Sequence, residues 1–267
     1  MTLEEIVSKH SLKAIGRSIG LDVQMVDGYL QCMPLDPDDP RYSLDFVLPS
    51  MKMVNACRAD DFNFFQPFIS AGKLSVEQMH RAAQRYHLGK TRSGQPMFWM
   101  IDEMLEPQDA HIGSDNWVSA LLKARAPILR HWRARHCLFG LHLLMEDGRS
   151  KKENVKSVCP KAICVVESEQ SAVVLSELFP ESIWMAYVSM THLDLELFAP
   201  LQGCNVTIYP STDPSFSAYP FFEELAAAVR DHYGIRITVS SILEDHASDD
   251  QKERCIDILG FIMENSA

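Results

Sequence analysis

Two carboxylates in this sequence sit where chemistry is easiest to place. Glu167 ends the apolar run "AICVVE" and is followed by "SEQSA", while Asp213 follows "CNVTIYP" inside "STDPS". If the two runs are neighbouring strands, both acids reach one sheet edge. There a pair of hard oxygen ligands holds magnesium that keeps most of its waters and meets substrate phosphates. Glu169 and Ser211 stand beside them as auxiliaries. Each residue also has a plainer reading: Glu169 caps the next helix, and "STD" is an ordinary N-cap sequence.

The elements that must position these acids form a regular series. "AICVVE" is a continuous apolar, β-branched run of the kind buried on both faces of a parallel sheet. "SEQSAVVLSELF" predicts a helix, "SIWMAYV" a strand, "MTHLDLELFAPL" a short helix and "CNVTIYP" a third strand. "SAYPFFEELAAAVRDHYG" predicts a helix closed by Gly234, "IRITVSSI" a fourth strand, and "SDDQKERCIDILGFIMEN" one final helix. Short strand–helix alternation implies right-handed crossovers and a mostly parallel four-stranded sheet with helices on both faces. Ligands of such sheets collect at the carboxyl ends of the strands.

The first half reads as a smaller α+β module over residues 1–150, with the α/β half over 158–267 and the hydrophilic loop "EDGRSKKENVKS" between them. Residues 1–25 predict a helix ending near Gly20, and "QCMPLDPDDPRYSLDF" a loop. Helix is predicted from Phe62 to Leu88, with Ser75 capping "VEQMHRAAQRYHLG" and Gly89 as its stop. A hairpin follows near 90–101, turning at Ser93-Gly94 into the strand Met97–Ile101, and residues 114–135 predict a helix broken at Pro127.

The formal charge is −11, yet Lys123 to Lys161 carries ten Lys/Arg against three Asp/Glu, leaving 15 basic and 33 acidic residues for the rest. That asymmetry fits a phosphate-facing surface as well as a solvated face. Seven cysteines, an odd number without a CxxC pair, suit buried thiols in a reducing compartment. His131, His136 and His142 with Cys137 match no zinc spacing, and "CLFGLHLL" reads as core. Trp99, Trp117, Trp132 and Trp184 could stack bases but are mostly flanked by core-like residues. No P-loop, GxGxxG, GxSxG or kinase signature is present. No apolar run is long enough for a bilayer and the start is unlike a signal peptide, so a cytoplasmic protein away from membranes is expected.

At "VVESEQSA" and "YPSTDP" the chain resembles the Toprim domain of bacterial primases, type IA and type II topoisomerases and related nucleases. Glu167 lies on that family's glutamate, in a context like "vvEGexDA", and Asp213 on the second aspartate of its Asp-x-Asp. Ser211 stands where the first aspartate belongs and Ser168 where the glycine belongs, so the motif is degenerate. From "YHLGKTRSGQPMFWMID" through "HCLFGLHLL" to "IYPSTD", about residues 85–260, the order of segments is similar to primase-like Toprim proteins of bacterial mobile and conjugative elements.

The resemblance implies a Toprim-like, Rossmann-like fold and a role with DNA, chiefly single-stranded, in mobile-element DNA replication beside a helicase or other replication proteins. Glu167 would be general acid/base or metal ligand and Asp213 a magnesium ligand, for nucleotidyl-transfer or phosphodiester chemistry. Lys90, Arg92, Arg125, Arg130, Arg133 and Arg135 would contact phosphates. Two alternatives stay open: a catalytically decayed module kept for nucleic-acid or replisome binding, and an α/β protein binding a small anionic ligand.

Overall fold

The computed structural model describes residues 21–26, 29–34, 49–113, 116–125, 134–146, 161–188, 190 and 193–265. The first described elements correct the expectation of helix at 21–25 and of loop at 31–34; the rest of those two segments lies outside the described residues. Strands β1 (Leu21–Val26) and β2 (Tyr29–Pro34) pair antiparallel, Leu21 opposite Pro34. The Asp27-Gly28 dipeptide between them is a strong hairpin signal that a helical run read on from Leu3 overrides too easily.

Helices α1 (Met51–Ala56), α2 (Gln66–Ser70) and α3 (Val76–Arg85) follow, with a 3₁₀ turn at Asn63–Phe65. Helix α3 begins in a capping box: Ser75 Oγ accepts from Gln78 N and Gln78 Oε1 accepts from Ser75 N. It stops at Arg85, earlier than the Gly89 expected, because His87 takes the left-handed conformation (φ 51°) and Leu88 N bonds back to Ala83 O. Gly89 serves strand pairing instead. A Cβ there would lie 2.8 Å from Cys57 O, the carbonyl to which Lys90 N donates.

The expected hairpin is part of a larger antiparallel sheet, β3 (Gly89–Lys90), β4 (Pro96–Ile101), β5 (Pro107–Ile112) and β6 (Asn116–Trp117), in that spatial order. Its second turn hangs on Asp102. Oδ1 accepts from Met104 N and Glu106 N, and Oδ2 accepts from Gln108 Nε2. Helices α4 (Val118–Arg125) and α5 (Leu143–Glu146) complete this half. Pro127 and the loop "EDGRSKKENVKS" after Glu146 lie outside the described residues.

The second half is a mixed α/β unit with the expected parallel sheet. Strand β7 (Ala162–Val166) is followed by helix α6 (Glu169–Leu178), β8 (Ser182–Ala186), a 3₁₀ helix at Leu195–Leu201 and β9 (Asn205–Ile208). Helix α7 (Ala218–Tyr233) then ends on left-handed Gly234 and leads to β10 (Arg236–Val239). Spatial order is β10-β9-β7-β8, all parallel. After α8 (Ile242–His246), where one helix was expected over 248–265, there are two short ones, α9 (Asp249–Glu253) and α10 (Ile258–Asn265). The chain breaks at Cys255 (φ 52°) because buried Ile256 turns inward and Asp257 restarts the helix, its Oδ1 accepting from Gly260 N.

One hydrophobic cluster runs from Phe62 through Tyr86, Phe98 and Phe139 to Val165, Leu175, Ile208 and Leu259, joining both halves. A smaller one lies under the antiparallel sheet around Val54, Trp99, Ile101 and Ile112. Phe139 also forms an antiparallel bridge with Ala186, so residues before the loop finish the edge of the parallel sheet. The next residue, Gly140, has φ 84°, and a Cβ there would lie 3.1 Å from Trp184 O and from Tyr86 Cε1. Gly140→Ala is therefore expected to cost about 1–3 kcal/mol from backbone strain alone, read as a lower urea midpoint.

Candidate functional site

The strand order places a topological switch point between β7 and β9. The chain runs one way from β7 to β8 and returns past β7 to β9 and β10. With right-handed crossovers the helices fall on opposite faces: α6 packs with α3 and α10, while α7 packs with the 3₁₀ helix Leu195–Leu201. The crevice at the carboxyl ends of β7 and β9 is where ligands of such sheets bind. Val165 pairs with Ile208, so Glu167 stands level with Pro210, and Asp213 lies three residues further along the loop.

Glu167 is half-buried, and its carbonyl accepts from Val188 N. Its carboxylate acts on Tyr187, whose phenol is pushed well above its ordinary range by burial first, then by Glu167 and Asp257. Asp257 is a crevice carboxylate that the sequence reading missed. It accepts the Ser171 hydroxyl at Oδ2 and Gly260 N at Oδ1, tying the first turn of α6 to that of α10. The signal available was its place before "ILGFIM", as an N-cap rather than a mid-helix residue.

Asp213 is committed to its own loop. Oδ1 accepts from Ser215 N at 2.8 Å, and Oδ2 accepts from Ser217 N at 2.9 Å and Ala218 N at 2.7 Å; the Ser215 hydroxyl donates as well. Partial desolvation works against ionisation, but these donors outweigh it and hold the carboxyl at about 2. Ser211 is half-buried, and Thr212 beside it bonds Ile256 O through both N and Oγ1. Glu169 is buried and turned to the antiparallel sheet, its Oε1 2.6 Å from His111 Nδ1. His111, another residue the sequence reading passed over, lies tilted against the Trp117 ring, centroids 5.0 Å apart.

The fold resembled in the sequence implies magnesium here, and three of the four residues expected to hold it do not fit: of the four, Glu167 alone keeps a carboxylate free of protein donors among the described residues. Asp213 and Asp257 spend their oxygens on protein donors, Ser211 brings no charge, and Glu169 is paired with His111. Among the described residues, no group of three or more His, Cys, Asp or Glu side chains could hold a metal ion.

Of the residues expected to contact phosphate, those whose side chains are described, Lys90, Arg92 and Arg135, are dispersed. Lys90 pairs with Asp61 at 2.9 Å and lies over the Phe62 ring. Arg92 is exposed at the hairpin turn, and Arg135 approaches Glu103 at 3.6 Å and Asp102 at 3.9 Å. Arg125 is the last residue of α4, while Arg130 and Arg133 lie outside the described residues. Trp99 and Trp184 are core, and His142 is buried in the main cluster's wall against Tyr86. No helix among the described residues is long and apolar enough to cross a membrane.

The model of a family described as a domain of unknown function, DUF6371, matches residues 63–212. The chain belongs to the DUF6371 family. The DUF6371 match takes in the antiparallel sheet and β7 to β9, and ends one residue before Asp213. No curated protein matches the chain. Among solved structures, "Structure of the DnaG primase catalytic domain bound to ssDNA" is similar to this DUF6371 protein at 11% identity, covering 80% of this chain and 82% of that one with a TM-score of 0.43.

Proposed function

We propose that this chain is a Toprim-like module of primase type that binds single-stranded nucleic acid and works without a resident magnesium ion. The observation that carries the reading is the use of Asp213. At the switch-point crevice, where the resemblance in sequence expects a metal-binding aspartate, the carboxylate is spent on three backbone N–H groups of the next helix's approach. In this reading the half over 158–267 supplies the crevice, and the half over 1–150 supplies the basic segment through Arg125, Arg130, Arg133 and Arg135. The resemblance supports nucleic acid as the ligand, and the charge asymmetry of the chain agrees with it.

Two measurements test this. Calorimetric titration with manganese or magnesium chloride is expected to give no saturable heat up to millimolar ion. A saturable heat that disappears in Glu167→Gln would restore a metal-dependent enzyme and overturn the decayed reading. Retention of the full chain on single-stranded DNA is expected to fall steeply with salt. Arg130→Ala with Arg133→Ala should then reduce the log–log slope by about 1.4, two phosphate contacts at roughly 0.7 each. No retention at low salt would remove nucleic acid from the proposal.

A further inference from the structure

Beside the crevice, the loop that Asp213 clamps presents an aromatic ring to solvent. Phe216 is 53% exposed and has φ 55°, a left-handed backbone that is costly for a bulky side chain. The loop is nevertheless held. Asp213 binds the N–H groups of Ser215, Ser217 and Ala218 on either side of Phe216, and Phe216 N donates to Asp213 O. An ammonium, Lys252 Nζ, lies 5.0 Å from the ring centroid, and it is itself anchored by Glu244 O at 3.0 Å. A rigid, half-exposed ring backed by a cation, at the carboxyl rim of a parallel sheet, has the form of a stacking platform.

We propose that Phe216 stacks an unpaired nucleobase of the strand bound at this crevice, an inference that rests on the nucleic-acid reading above. Charge decides which part of the strand meets the ring. Lys252 is already held by Glu244, through the carbonyl at 3.0 Å and the carboxylate at 4.0 Å, so it offers phosphate little, and contact has to be with the uncharged face of a base. Stacking of that kind is tolerant of sequence. It adds affinity without releasing counterions, so it shifts the strength of binding and not its salt dependence. The diverted aspartate thereby gains a positioning role: it fixes the ring where it would otherwise have bound metal.

The experiment is fluorescence anisotropy of a labelled oligothymidylate titrated with the full chain at several salt concentrations. Phe216→Leu and Phe216→Gly are expected to weaken binding about tenfold at every salt with an unchanged log–log slope, while Phe216→Trp binds at least as tightly as the parent. The glycine variant relaxes the left-handed backbone, so its loss cannot come from strain. Equal binding by parent and Phe216→Leu would overturn the platform and leave the nucleic-acid function standing. A changed slope, or failure of Phe216→Trp to bind, would also overturn it. No binding by the parent would remove the nucleic-acid reading and this inference together.

Discussion

Replacing Arg81 and Arg85 together by methionine is expected to cost the fold about 3–5 kcal/mol, the penalty for leaving a buried charge without its partner. The charge is Glu177 on α6, whose side chain is 1% exposed. Arg81 Nη2 reaches its Oε2 at 2.5 Å and Arg85 Nη1 its Oε1 at 3.1 Å, so two turns of α3 grip one carboxylate of α6. The arginines are more open, 55% and 30% exposed, and their own screening keeps the attraction itself modest. The asymmetry follows from that: Glu177→Gln returns the guanidinium groups to water and keeps an acceptor in place, so it should cost only about 1–2 kcal/mol. Urea unfolding at pH 7 measures both. A double variant within 1 kcal/mol of the parent at pH 7 would remove this clamp from the account.

Acid should destabilise the protein through His142 before most carboxylates titrate. The imidazole is fully buried. Its Nε2 donates to Arg85 O at 3.0 Å, and its Nδ1 has no hydrogen-bond partner among the described residues. Burial, chiefly, pushes the group down to about 4; the Arg85 carbonyl opposes that shift and the His87 ring nearby adds to it. A histidine in the unfolded chain titrates near 6.5. Above that pH both states are neutral and the group is without effect. Between about 6.5 and 4 the unfolded chain binds a proton that the native state refuses, so stability falls with pH through that window. The full loss is on the order of 3 kcal/mol, complete once pH is below the folded value. His142→Gln keeps a donor for Arg85 O and should flatten the profile of unfolding free energy against pH between 6.5 and 4. A parent profile already flat there would show that the ring is protonated in the native state.

The parallel sheet was legible because it is written in runs such as "AICVVE", apolar on both faces, with Ser168 and Gly234 marking helix ends at single residues. The strand "PQDAHI" was not, since only Ala110 and Ile112 supply an apolar face and its turn depends on Asp102 reaching three donors at once. The site divides the same way. Glu167 and Asp213 could be placed at strand ends from local pattern, and the plainer capping use of Asp213 is the one its hydrogen bonds display. The pair His111–Glu169 joins residues 58 apart, and Ser171–Asp257 residues 86 apart. No local periodicity encodes such partners, because the first pair is brought together only by packing one half on the other and the second only by the final helix folding back on α6.

The bridge between Phe139 and Ala186 bears on how this protein can be inherited. An outermost strand with unpaired backbone groups recruits whatever strand it meets, and here the last residue of β8, Ala186, is bridged by Phe139 from the other side of the loop, with Tyr86 stacked on Phe139 and donating its hydroxyl to Trp184 O. Recombination that transplanted only the parallel-sheet half would leave that flank sticky, so the Cys137–His142 stretch and the helix capped by Tyr86 have to travel with it as one hereditary unit.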